Sequence, residues 1–179
     1  MAVNSSNKGK VYERKIAKIL SKWCGFELIR TPMSGAWQGT AGDIKPKQNE
    51  LALHLSGLSF PFTVECKNTK SWQFHQIFKR EGEFYSWVKQ VEREVDEDES
   101  MSNQEKYPLL IFSANYAPDY IAFPGHSLEF LHNMNLSPVL YLSHLDEYWM
   151  VTQLDYLLQS YTYLEFVRLM LHCYWCDED

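Results

Sequence analysis

The sequence predicts an α/β domain, because stretches with the 3.6-residue period of helices alternate with short runs that have the two-residue period of strands. Three stretches carry that reading. Tyr12, Ile16, Ile19, Leu20 and Trp23 recur at helical spacing over residues 11–23, with basic residues opposite. Behind Phe60, the residues Phe62, Val64 and Cys66 alternate with Thr63, Glu65 and Lys67, the pattern of a half-buried strand that runs on to Asn68. Phe84, Trp87, Val88, Val91 and Val95 then mark a second amphipathic helix over residues 83–95.

The other elements follow from their punctuation. Residues 1–7 are small and polar and are expected to be loose. Cys24-Gly25 stops the first helix, and residues 26–30 form a short strand. A polar, Gly-rich loop over residues 31–42 leads through Gly42-Asp43-Ile44 into a neighbouring strand. Ser71 is placed to N-cap a short helix over residues 71–79, and residues 96–106 read as an acidic, mobile loop. Residues 108–112 and 120–123 are strands separated by a turn at Ala117-Pro118-Asp119, residues 139–142 and 149–152 add strands or edge segments, and residues 154–158 and 161–171 are helical. With 179 residues, 45% of them hydrophobic and 15% aromatic, the chain can bury a substantial core without a second domain. One domain over residues 1–179 is expected, with its core in about residues 8–125 and the elements of residues 126–179 added to it.

Composition excludes several classes. No run of about 18 apolar residues and no basic, apolar leader is present, which predicts neither a membrane span nor secretion and places the protein in the cytoplasm. Four cysteines without framework spacing agree with free thiols in a reducing compartment. Cys173 and Cys176, with His172 beside them, have the spacing of half a zinc site, but no second pair completes it. The six histidines are scattered, and no Walker loop, dinucleotide fingerprint or nucleophile elbow occurs.

The chemistry gathers around Asp43, Glu65 and Lys67. Glu65 and Lys67 share one face of their strand with Cα atoms roughly 6 to 7 Å apart, so both heads reach one small ligand while Cys66 turns into the core. Magnesium takes oxygen ligands and keeps several waters, so two carboxylates, a backbone carbonyl and a substrate phosphate suffice to hold it. Asp43 and Glu65 suit that role, and Lys67 suits the stabilisation of charge on an attacking water or a phosphate. Acidic-x-Lys occurs three times, but Glu13-Arg14-Lys15 lies in a helical pattern and Asp43-Ile44-Lys45 lacks an apolar run behind it. Glu65-Cys66-Lys67 alone combines a buried strand with an upstream aspartate, although such a motif taken by itself is more often a solvated ion pair.

Four blocks in order resemble the PD-(D/E)XK nuclease superfamily, and within it the Holliday-junction resolvases of archaea and phages. They are Lys8-Gly9-Lys10-Val11-Tyr12-Glu13-Arg14, Arg30-Thr31-Pro32-Met33-Ser34-Gly35, Gly42-Asp43-Ile44, and Phe60-Pro61-Phe62-Thr63-Val64-Glu65-Cys66-Lys67-Asn68. Trp87-Val88-Lys89-Gln90 is a fifth, weaker block. The likeness covers about the first two thirds of the chain and implies a restriction-endonuclease-like three-layer fold, a mixed central β-sheet flanked by α-helices. It implies a Mg2+ cofactor, with Mn2+ as a substitute, held by Asp43, Glu65 and the backbone carbonyl of Cys66. Lys67 would then be catalytic, joined by Glu13 and Gln90. For Glu13, which shares a side of its helix with core residues, the residues alone allow an ion pair with Lys10 or a first-turn dipole contact equally well. Gly42 stands where the superfamily name has proline, and Glu65 follows Asp43 by 22 positions, which implies an extra loop around residues 48–59.

A DNA substrate must be reconciled with a net charge of −6. Basic residues concentrate between Lys8 and Arg80, whereas Glu92, Glu94, Asp96, Glu97, Asp98 and Glu99 form one acidic block and Asp177, Glu178 and Asp179 another, each read as a solvated face or tail. The expected DNA contacts are Lys8, Lys10, Arg14, Arg30, Ser34, Trp37 and Lys70, with Trp37 stacking or wedging. A branched DNA with two-fold symmetry implies a homodimer. A restriction-like or end-processing nuclease, and a non-catalytic DNA-binding module on the same fold, are the alternatives.

Overall fold

The computed structural model describes residues 5–32, 41–47, 60–70, 73–79, 82–114, 116–125, 140–142 and 148–174, with the backbone alone for residues 5, 6, 141 and 172–174. Four helices and a seven-stranded sheet make up this part. In chain order these are α1 (Ser5–Cys24), β1 (Leu28–Arg30), β2 (Ile44–Pro46), β3 (Phe62–Thr69), a 3-10 helix (Phe74–Phe78), α2 (Glu83–Ser102), β4 (Tyr107–Ala114), β5 (Tyr120–Pro124), β6 (Leu140–Leu142), β7 (Trp149–Gln153), α3 (Leu154–Ser160) and α4 (Tyr163–Tyr174).

The sheet is mixed, with strand order β1-β2-β3-β4-β5-β7-β6. Among the described strands only β3 and β4 run parallel, in register from Phe62 opposite Tyr107 to Thr69 opposite Ala114, and α2 is the crossover that a parallel pair requires. Side chains alternate across both central strands, so two hydrophobic layers form. Phe62, Val64, Cys66, Leu109 and Ile111 pack with Tyr12, Ile16 and Leu20 of α1 and with Leu157, Phe166 and Met170 of α3 and α4. Leu110, Phe112 and Ala122 pack on the other face with Phe84, Trp87, Val88 and Val91 of α2 and with Ile77 of the 3-10 helix. Helices, sheet and helices are thus the three layers expected for the fold. No helix among the described residues is long and apolar enough to cross a membrane.

The boundaries differ from the sequence reading where apolar periodicity and helix formation part company. Residues 5–7, expected to be loose, already belong to α1. Residues 96–106, expected to be an acidic loop, instead continue α2 as far as Ser102, where Asn103 closes the helix in the left-handed region at φ 52°. The apolar stripe stops at Val95, but Asp98 extends the four-residue spacing of Gln90 and Glu94 and accepts from Thr63, and Ser102 Oγ donates to the Asp98 carbonyl one turn back. The segment after β3 is a 3-10 helix beginning at Phe74, whereas Ser71 and Trp72 lie outside the described residues. The loop expected at residues 48–59 also lies outside them, as do the side chains of Cys173 and Cys176.

Candidate active site

Strand β3 presents Thr63, Glu65 and Lys67 to α2, and α2 answers with Gln90, Glu94 and Asp98, one residue per helical turn. Two periods therefore mesh, since every second strand residue rises by roughly 6 to 7 Å and every fourth helical residue by about 6 Å. Thr63 Oγ1 donates to Asp98 Oδ2 at 2.8 Å. Glu65 and Lys67 form an ion pair, and Gln90 joins it from above, its Nε2 donating to Glu65 Oε1 at 2.9 Å and its Oε1 accepting from Lys67 Nζ at 2.8 Å. Gln90 Nε2 also donates to Glu94 Oε1 at 2.8 Å, and the second oxygen of Glu94 accepts from the Gly42 N–H at 3.2 Å.

Asp43 arrives from the turn before β2. Its own N–H donates to Val64 O at 2.6 Å, its carbonyl accepts from Thr31 N at 2.8 Å, and its carboxylate Oδ2 accepts from Cys66 N at 3.0 Å. That last bond locks the aspartate to the backbone between Glu65 and Lys67. Gly42 makes the approach feasible. Its φ is +66°, and a Cβ there would lie 3.3 Å from Val64 N and O. A proline, whose ring fixes φ near −65°, cannot occupy this turn, so the departure from the superfamily name follows from the backbone.

The centre is buried and over-supplied with negative charge. Asp43 is 8% exposed and Glu65 4%. Burial, with Asp43 next in size and Glu94 smaller, pushes the Glu65 carboxyl up to about 9, against the opposing pull of Lys67. Glu13 on α1 is also raised, by burial and by Asp43, although Arg30 pairs with it and draws it down. The partner of Glu13 is therefore primarily Arg30 of β1, 17 residues away, in place of the Lys10 contact weighed from the sequence. Cys66 faces α1 in the apolar core, as its alternation requires, and burial raises its thiol well above the ordinary range.

These residues fit a hard divalent cation. Among the described residues, both protein contacts to the Glu65 carboxylate fall on Oε1 and the contact to Asp43 falls on Oδ2, leaving one oxygen of each to a ligand. No group of three or more His, Cys, Asp or Glu side chains converges as a metal cage among the described residues. A pair of carboxylates supplemented by water and substrate oxygens is how magnesium is usually held. The raised Glu65 carboxyl means that the pocket carries more acid than Lys67 and Arg30 neutralise, and a bound cation relieves that excess.

The remaining expected contacts are dispersed. Arg14 is exposed on α1, Lys8 and Lys10 are half-buried there, and Lys70 is exposed just beyond β3. Arg30 is engaged with Glu13, and Ser34 and Trp37 lie outside the described residues. The sequence reading missed Glu94, because it sits inside an acidic run taken for a solvated face. Its spacing of four from Gln90 is the signal that could have found it.

A family model described as "phage putative PDDEXK endonuclease" matches residues 4–164, from the start of α1 into α4. No curated protein sequence matches the chain.

Proposed function

The chain belongs to the phage PD-(D/E)XK endonuclease family, and we propose that it is a magnesium-dependent endodeoxyribonuclease that cuts branched DNA as a Holliday-junction resolvase. The observation that carries the nuclease reading is the largely buried network of Asp43, Glu65, Lys67 and Gln90, assembled from three separate segments of the chain, and the choice of branched DNA follows the resemblance of the sequence blocks to resolvases. Asp43 and Glu65, with the carbonyl of Cys66, would hold Mg2+ or Mn2+. Such an ion, when bound, withdraws charge from the phosphate and lowers the pKa of a water toward neutrality.

The chain's own groups do the rest. The Lys67 ammonium, aimed by Gln90 Oε1 at 2.8 Å, donates a hydrogen bond at the phosphate where negative charge develops, or to the water that attacks it. Gln90 bonds to both Lys67 and Glu65 and so restricts the rotamers each would otherwise search at the moment of reaction. Glu13, paired with Arg30 and close enough to Asp43 to be raised by it, adds a third carboxyl at the rim. Lys8, Lys10, Arg14 and Lys70 offer positive charge to the DNA backbone, joined by Ser34 and Trp37 of the segment that precedes Asp43 in sequence. A four-way junction has two equivalent strands to cut, so a homodimer with two such centres matches the substrate.

Cleavage of a labelled four-way junction beside a matched linear duplex, with magnesium and with chelator, tests the substrate. Paired, magnesium-dependent cuts in the junction alone are expected. Equal cutting of both DNAs would point to a restriction-like or end-processing enzyme, and binding without any cleavage to a non-catalytic module.

A further inference from the structure

We propose that Glu94 is a positioning residue whose one carboxylate holds the Gly42–Asp43 turn and the Gln90 amide in register with Glu65 and Lys67. Its kinetic consequences rest on the nuclease reading; its structural consequences do not. Glu94 Oε2 accepts from the Gly42 N–H at 3.2 Å, across 52 residues of sequence, and Oε1 accepts from Gln90 Nε2 at 2.8 Å. The turn needs such a hold. Strand β2 has a single register pair with β3, Ile44 opposite Val64, and Gly42 itself sits at a φ of +66°.

The Gln90 amide has the same dependence. Its Nε2 is shared between Glu65 Oε1 and Glu94 Oε1, which leaves its oxygen to accept from Lys67. A carboxylate is the side chain that offers two acceptor oxygens and no donor at this reach. Glutamine has the same shape but one acceptor and one donor. With its NH2 toward Gly42, two donors would face each other. With its NH2 toward Gln90, that amide must turn over and set its own NH2 against the Lys67 ammonium. At least one bond is lost in either orientation, and turning the Gln90 amide over also costs its bond to Glu65. Placing a further carboxylate beside Glu65 is unfavourable for charge, since it helps raise the Glu65 carboxyl, so Glu94 is held there by these two bonds rather than by attraction to the pocket.

The test is Glu94→Gln, alone and combined with Gln90→Ala. In the metal-free protein, amide exchange at Gly42 is expected to speed up about tenfold or more while the melting temperature stays close to wild type. On cleavable DNA, kcat is expected to fall about tenfold or more with KM nearly unchanged, and the further loss in the Gln90→Ala background is expected to be smaller than in wild type. Glu94→Asp, which keeps two acceptors on a shorter stem, should fall between. Wild-type exchange at Gly42, a change confined to KM, or losses that multiply in full would each overturn the proposal. If the wild-type protein cuts no DNA, the nuclease reading fails, and exchange at Gly42 still decides whether Glu94 positions the turn.

Discussion

Strand β3 has two faces that do different work. Phe62, Val64 and Cys66 point into the layer under α1, α3 and α4, where Phe62 meets Phe60, Tyr163 and Phe166 with ring centroids 5.7, 6.3 and 5.7 Å away. Thr63, Glu65 and Lys67 point at α2 and find a carboxylate partner in Asp98 and an amide partner in Gln90. One face gains free energy on folding by removing apolar surface from water. The other holds charged groups out of water, where they are poorly solvated and strongly coupled. The backbone they share means that a centre costly to assemble is held by packing on the reverse of the same strand.

The largest effect that separates the faces is expected for Lys67→Ala. On the proposed reading this variant loses at least about a hundredfold in kcat, measured by single-turnover cleavage, while it remains folded. Phe62→Ala, on the other face of the same strand, should cost about 3–5 kcal/mol in denaturant unfolding, yet retain the cleavage rate of the fraction still folded at low temperature. Loss of the chemistry by Phe62→Ala under conditions where it is folded would break the division. Gly42→Ala, at the seam between the faces, should lower both stability and cleavage, the former by about 1–3 kcal/mol, because φ +66° and the approach to Val64 both oppose a side chain.

A further expected effect is a dependence on pH. In the metal-free protein the Glu65 carboxyl is raised from its ordinary 4.5 to about 9. The folded state therefore binds the extra proton between these values, so the contribution of Glu65 is fully present below about 4.5 and is lost as pH rises through about 9. Thermal melts in chelator should fall as pH is raised through that window. Magnesium should raise the melting temperature more at pH 8.5 than at pH 6, since it replaces a proton that is harder to remove at low pH. Equal stabilisation at both values would contradict a cation bound at Glu65.

How much of this was readable depended on whether the deciding contact was local. The strand carrying Glu65 and Lys67, the burial of Cys66 and the helix carrying Gln90 followed from periods of two and 3.6 residues, and the structure places Gln90 against Lys67. The resemblance supplied the mixed three-layer sheet that periodicity alone could not. The far half of α2 was hidden because its inward residues are acidic, and an apolar pattern cannot reveal a helix face that packs on charge. The Glu13–Arg30 pair and the Glu94 bridge to Gly42 join residues 17 and 52 positions apart, and no local pattern specifies such pairs.

The central claim is that Glu65 serves function at the expense of stability, and Glu65→Gln tests it in one paired measurement at pH 8. The melting temperature in chelator and the cleavage of a four-way junction in magnesium would be compared with wild type. The account predicts that the melting temperature rises by about a few degrees, because the variant no longer has to take up a proton at pH 8 in order to fold, and that cleavage is lost. A variant that melts several degrees lower, or one that still cuts at the wild-type rate, would contradict it.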